Sequence, residues 1–284
     1  MKKTTGKNPE KNRAGLAGIF LILCVFCLVL PGCVSNPLTG KSTMAFVDNS
    51  SLFPSAFQQY DEFLSENTVI YGTPEAAMVE QVGIKLKNAA EKWLVSEGQS
   101  HYLDNYSWEY KLVLSDEINA WCMPGGKIVV YTGILPITMD EQGLAVVLGH
   151  EISHALLNHG QQRMSADVLQ QIGAMGLSLF TSNKSPQTQA LAMTAYGAGS
   201  ALFGTLPFSR NHESEADHYG LILMTIAGYN PEQAVPFWQR MSQLGGGGTP
   251  QFLSTHPSDE TRIRQLRDWI PEAKERAAKV NSGR

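Results

Sequence analysis

From Pro74 to Ser96, Ala77, Val79, Val82, Ile84, Leu86, Ala89, Ala90 and Trp93 return at roughly helical intervals behind a proline in the first turn, which predicts an amphipathic helix. The period then drops to two. Trp108, Tyr110, Leu112 and Leu114 alternate with other residues over Ser107–Ser115 and predict a strand, and Asn119–Met123 and Lys127–Thr132 flank Pro124-Gly125-Gly126 as a hairpin. Helical period resumes after Asp140 and Glu141 in a run through Leu144, Val147, Leu148, Ile152, Ala155 and Leu156, with Asn158-His159-Gly160 as its stop signal. Asp167–Thr181 and Gln189–Phe208 read as a helical hairpin at about 161–208, joined by the polar turn Ser182-Asn183-Lys184-Ser185-Pro186. Another helix opens near Ser209, continues through Leu221, Ile222, Met224 and Ile226, and stops at Gly228; residues 232–244 and Ser258 to about Ala278 supply two more. Residues 34–60 have no comparable period and read as an extended arm with a short strand at Met44–Val47. The pattern as a whole predicts a mainly α chain with a small β-sheet, of α+β class.

Composition sharpens this at the N-terminus. Lys2, Lys3, Lys7, Lys11 and Arg13 precede an uncharged apolar run from Ala14 to Leu30, short for a spanning helix and typical of an export signal. The run ends in Leu30-Pro31-Gly32-Cys33, which resembles a bacterial lipobox with Cys33 as the lipidated first residue of the mature chain; an uncleaved inner-membrane signal anchor is the alternative. By that analogy Val34, which is not a retention aspartate, places the protein on the periplasmic face of the outer membrane. Residues 1–32 are then a signal peptide, 33–73 an N-terminal arm and 74–284 one further domain, with no linker or repeat to divide it. Cys24 and Cys27 fall in the signal, so Cys122 alone remains in the body, a small hydrophobe that excludes an internal disulfide. Removing residues 1–32 moves the net charge from −4 to −8, which leaves no electrostatic footprint for nucleic acid.

The chemistry sits in the apolar helix. His150-Glu151-Ile152-Ser153-His154 is an H-E-x-x-H pattern; at about 3.6 residues per turn both imidazoles share one face and reach one ion, and Glu151 stands beside them as a base. Three such polar groups in so apolar a run need a partner. A third protein ligand is required, and the H-E-x-x-H-x-x-G-x-x-H continuation fails because Leu157 and Gly160 occupy its glycine and histidine positions. Glu213 and Asp217, four apart on one helical face, are candidates, one to ligate and the other to accept the outer N–H of a ligand histidine; an acidic, solvated first turn is the plainer alternative.

H-E-x-x-H followed at distance by Ser209-Arg210-x-x-Glu213-x-x-x-Asp217 resembles the gluzincin zinc metalloendopeptidases of the CAAX-protease/HtpX-like family, in its periplasmic lipoprotein branch of LoiP and BepA type. Asn36-Pro37-Leu38-Thr39-Gly40-Lys41, Ile118-Asn119-Ala120-Trp121 before Pro124-Gly125-Gly126, and Ser254-Thr255-His256-Pro257 match as well, so the likeness covers about residues 33–270. The resemblance implies a zincin-like fold with the H-E-x-x-H helix in the core and one Zn2+ per chain held by His150, His154 and Glu213. It also implies Asp217 as the carboxylate that holds a ligand histidine, Glu151 as general base and His256 near the metal, where the histidine of this segment closes the site in some relatives; oxyanion stabilisation, or capping of the following helix with no catalytic part, are the other readings of His256. Peptide-bond hydrolysis by zinc-activated water is then expected, with misfolded or unassembled envelope proteins as substrates and possible assembly-machinery partners. The alternative is a chaperone-like outer-membrane assembly factor with little or latched activity; a purely structural zinc site is disfavoured because such sites favour cysteine. Ile118–Met123 is expected to be an edge strand that pairs with substrate, or else a purely structural hairpin strand. Residues 161–208 are expected to pack beside the site, membrane dipping being the other reading. Gly245–Gly248 is expected to be a mobile loop near the cleft.

Overall fold

The computed structural model describes residues 33–244, 250–256 and 260–283. The signal segment, the Gly245–Gly248 loop and Pro257 lie outside the described residues. A two-stranded ribbon, β1 (Cys33–Ser35) and β2 (Ser42–Met44), opens the chain. It is followed by α1 (Asn49–Glu66), β3 (Val69–Ile70), α2 (Pro74–Ser96), β4 (Glu109–Val113), β5 (Ala120–Met123) and β6 (Lys127–Tyr131). Next come α3 (Glu141–Leu156), α4 (His159–Thr181), α5 (Pro186–Ser200), α6 (Leu206–Ile226), α7 (Ala234–Gln243) and α8 (Glu260–Ser282). The expected mainly helical class with a small sheet is what the fold shows, and α2 has the predicted limits, capped by Thr73 with Pro74 in its first turn.

Three boundaries differ from the sequence expectation. Residues 49–66 form a helix, not an extended arm: Asp48 caps it, and Leu52, Phe53, Ala56 and Tyr60 make one buried face among serines and glutamines that blur the period. The strand expected at Met44–Val47 lies earlier, at Ser42–Met44. Helix α6 does not open at Ser209 but runs on from α5 through a five-residue π-turn, Ala201–Thr205. The stop expected at Asn158-His159-Gly160 holds: α3 ends at Leu156, Asn158 takes the left-handed conformation (φ 57°) and redirects the chain, and α4 starts at once at His159.

The strands order β3-β4-β6-β5, with β4 and β6 parallel and β5 antiparallel to β6 at the edge. Gly125 and Gly126 make the β5–β6 turn at φ 85° and 91°, and a Cβ on Gly126 would come within 2.7 Å of the Trp108 ring, so both reasons call for glycine. Helix α3 crosses behind this sheet, held between α2 and α6, and every residue from Gly143 to Leu156 is buried. A helix apolar on all sides can be stable in water only in that position. Tyr60 of α1 packs with Val113 and Val129 on the other face of the sheet.

Candidate metal centre and active site

Helices α3 and α6 touch backbone to backbone at Gly149 and Gly220: a Cβ on Gly220 would stand 2.9 Å from the backbone carbon and oxygen of Gly149 and from His150 N. With two glycines in contact, the helices come near enough for side chains within two turns of that contact to meet at one point. His150 Nε2 and His154 Nε2 are 3.0 Å apart, and Glu213 offers Oε2 to the first and Oε1 to the second at 3.4 Å each. Glu213 and Gly220 lie two turns apart on the same α6 face, so one contact sets both.

The proton positions follow from the outer partners. Asp217 Oδ1 lies 2.9 Å from His150 Nδ1, and a carboxylate only accepts, so Nδ1 carries the proton and the Nε2 lone pair faces inward. On the other side, His159 Nε2 donates to Glu215 Oε2 at 3.1 Å, and burial lowers the His159 pKa so that the ring is neutral. Its Nδ1 then accepts from His154 Nδ1 at 2.8 Å, which turns the His154 Nε2 lone pair inward too. Two imidazole lone pairs and a carboxylate therefore converge in a buried space, an arrangement that repels itself unless a cation lies between them. Burial lowers the His150 pKa, but the carboxylates of Asp217 and Glu213 outweigh it and raise it to about 9, so that without an ion the cluster takes up a proton in its place. Burial also opposes the Glu213 charge, yet the imidazoles of His150, His154 and His256 around it hold its pKa far below the usual carboxylate range. The site calls for positive charge, and separations near 3.4 Å are those of ligands tetrahedral about an ion at roughly 2.0–2.1 Å. The residues present fit a metal ion.

His256 joins this cluster. Its Nδ1 is 2.7 Å from Glu213 Oε2 and 3.1 Å from His150 Nε2, and the four residues place a ligand atom each within 4.8 Å of one another. Glu151 points into the adjoining cleft; its Oε1 is buried without a hydrogen-bond partner, 3.4 Å from His256 Nε2, and burial raises its pKa against the pull of His256 and His150. The cleft, of about 650 Å³, runs along the exposed side of β5, with α1 and the start of α4 as its other walls. Cys122 lines it half-buried, more accessible than a core hydrophobe, with its thiol pKa pushed up by burial.

All the sequence-derived site residues that the structure describes in full thus meet, and two groups that the sequence left aside join them. Arg262 donates to Asp217 Oδ1 at 2.6 Å, reaches the His256 carbonyl oxygen at 3.3 Å and lies 3.3 Å over the Trp238 ring. Its signal was legible as a charge at the seam position of the α8 stripe Leu266, Ala273, Ala277 and Val280. His159 looked like a helix-end residue; it is fully buried and stacks on His212 with centroids 4.0 Å apart. Glu215, its partner, is in turn paired with Lys41 of the N-terminal arm, whose Asn36 donates to the Leu156 carbonyl oxygen at 2.8 Å. Replacing the outer partner of a ligand histidine typically costs about 10- to 100-fold in metal affinity. His159→Phe is therefore expected to weaken metal binding by that factor in a competition titration against a chromophoric chelator. His159→Asn, which keeps an acceptor near Nδ1, is expected to restore most of it.

The profile of peptidase family M48 matches residues 85–270, and the chain belongs to that family. The site defines a metallopeptidase of zincin-like fold. Among similar proteins, the mitochondrial metalloendopeptidase OMA1 of Saccharomyces cerevisiae is 31% identical over 210 residues, 71% of this chain and 58% of that protein. OMA1 of Schizosaccharomyces pombe is 33% identical over 221 residues, 75% and 59%. The beta-barrel assembly-enhancing protease of Escherichia coli is 31% identical over 169 residues, 57% and 34%. The chain spans about a third to three fifths of the length of these relatives. Mitochondrial and bacterial proteins both appear, so the similarity defines the family rather than one of its branches.

Proposed function

We propose that this chain is a zinc-dependent metalloendopeptidase that hydrolyses peptide bonds of misfolded or unassembled polypeptides in a bacterial envelope, anchored through Cys33 at the periplasmic face of the outer membrane. The observation that carries the reading is the convergence of His150 Nε2, His154 Nε2 and the Glu213 carboxylate beside a buried Glu151 oxygen that accepts no hydrogen bond. Two nitrogens and a carboxylate form a donor set suited to zinc. The chemistry the ion supplies when bound is polarisation of the scissile carbonyl and a pKa of water lowered toward about 7. Glu151, its proton affinity raised by burial, takes a proton from water and delivers it to the leaving amine. The unpaired edge of β5 aligns an extended substrate by main-chain hydrogen bonds, Asp217 fixes the His150 ring, and Arg262 holds Asp217 ionised.

The place of His256 favours a second reading. Its Nδ1 fills the fourth corner of the cluster, where substrate or water would enter, and this supports a latched protein that acts chiefly as an assembly factor until the segment moves. One assay tests both. Purified full-length protein in mild detergent is given β-casein, with and without 1,10-phenanthroline and with zinc restored. Cleavage that the chelator abolishes and zinc restores supports the peptidase. His256→Ala is expected to speed cleavage several-fold. A silent wild type beside an active His256→Ala places the latch, and silence of both with retained casein binding leaves the assembly factor.

A further inference from the structure

The hairpin of α4 and α5 leaves an apolar surface that the body of the protein does not cover. Helix α5 has no buried residue, and its packing is on α4 and on the π-turn that continues it. The side of α4 that receives it is marked by Gln170, which accepts from the Tyr196 hydroxyl at 3.0 Å and donates to Ser200 Oγ at 2.9 Å, and by Gly173 under the Tyr196 ring. Met164, Val168, Ile172, Met175 and Leu179 follow one another at spacings of four, four, three and four, which at about 100° per residue places them together on roughly the opposite face. Of these, Met164 is 42%, Ile172 41%, Met175 60% and Leu179 75% exposed. Burying that row would return free energy that water denies it, so something is expected to cover it.

The near end of the stripe says what. Met164, its first member, also lines the cleft, in company with Arg163 and Asp167 from the same helix and with Glu151 and His154 across it. The stripe is thus the outward continuation of one cleft wall. Its composition suits an occupant of variable sequence: two thioethers, whose flexible, polarisable chains adapt to many apolar partners, and no charge from Val168 to Leu179. At the far end stands the polar turn with Lys184, which a lipid layer covering the stripe would have to take in. We propose that this face of α4 is an extension of the substrate cleft that binds an apolar stretch of an unfolded polypeptide while a neighbouring peptide bond of the same chain lies at the metal centre. The proposal rests on the peptidase reading and deepens it. The 15 residue steps from Met164 to Leu179 span about 22 Å, as long as about seven residues of extended chain. Preference for apolar residues should accordingly appear several positions away from the cleaved bond.

The test uses the full-length protein and a fluorescence-quenched peptide built on a β-casein cleavage site mapped by mass spectrometry. The short peptide is compared with versions carrying seven additional residues, apolar or serine-rich, on either side. The apolar extension is expected to raise kcat/KM at least about tenfold, mainly through KM, and the serine-rich one to leave it near that of the short peptide. Met175→Glu with Leu179→Glu, outside the catalytic cluster and exposed, is expected to remove that gain while the short peptide is cleaved as before and the melting temperature is unchanged. An equal rate for all lengths, or a gain that survives the double substitution, overturns the proposal and leaves the peptidase reading standing. If no peptide is cleaved, that reading fails by itself, and the exosite is judged by anisotropy of the labelled extended peptide, which must bind wild type and not the double variant. A double variant that keeps the gain but loses flotation with phosphatidylethanolamine–phosphatidylglycerol vesicles, or loses a dimer in sedimentation, assigns the stripe to lipid or to a second copy and overturns the proposal.

Discussion

Glu151→Gln is expected to retain the metal content of the wild type and to lose about 10²- to 10⁴-fold of its cleavage rate, the usual contribution of a positioned general base. The separation of the two effects follows from geometry. Glu151 lies on α3 one residue beyond His150, so its side chain leaves the helix about 100° from His150 and about 60° from His154 and enters the cleft, with its Oε1 accepting no hydrogen bond. Glutamine has the same shape and nearly the same burial requirement, so it should neither disturb α3 nor open a cavity. It cannot take up a proton at neutral pH. Metal analysis on the purified variant together with single-turnover cleavage of β-casein checks both halves. Loss of zinc in the variant would show that Glu151 ligates or supports the cluster, and an unchanged rate would remove it from proton transfer.

How far the site could be read from the chain depends on whether its parts lie on one element or on several. His150 and His154 are four apart in a helix whose period is strong, so their common face and shared ion were legible from spacing alone. Glu213 was one of two candidates on spacing and became the expected ligand through resemblance, because nothing local says that α6 meets α3 at a pair of glycines. The chain Lys41–Glu215–His159–His154 draws on the arm, α6, α4 and α3, one residue from each, and no pattern along the sequence marks it. The α1 helix was hidden for another reason: with Pro54 within it and serine, asparagine and glutamine around a narrow apolar face, its packing on the sheet decides its conformation more than its own propensity does. Edge strand β5 was visible because its turn glycines fix the hairpin, and a hairpin entering a small sheet leaves few places for its first strand.

Gly220→Val should cost about 3 kcal/mol of stability, at the upper end of what overpacking does, and should weaken metal binding at the same time. Even a single Cβ at this position would lie 2.9 Å from three backbone atoms of Gly149 and His150, and backbone cannot rotate away as a side chain can. The valine adds two methyl groups to that clash, so α6 must shift relative to α3. Those two helices carry the proposed ligands between them, His150 and His154 on one and Glu213 on the other, and Asp217 moves with Glu213. A displacement that relieves the clash therefore lengthens the 3.4 Å separations across the cluster and stretches the His150–Asp217 hydrogen bond. Chelator competition and thermal unfolding of the metal-free protein read the two consequences separately. If the apoprotein melts lower and the metal affinity is unchanged, the glycine contact serves the core alone. A joint fall ties the packing of α3 against α6 to the shape of the metal centre: one glycine contact between two core helices would then also set the ligand geometry, and a third ligand 59 positions beyond His154 could be held as firmly as one on the same helix.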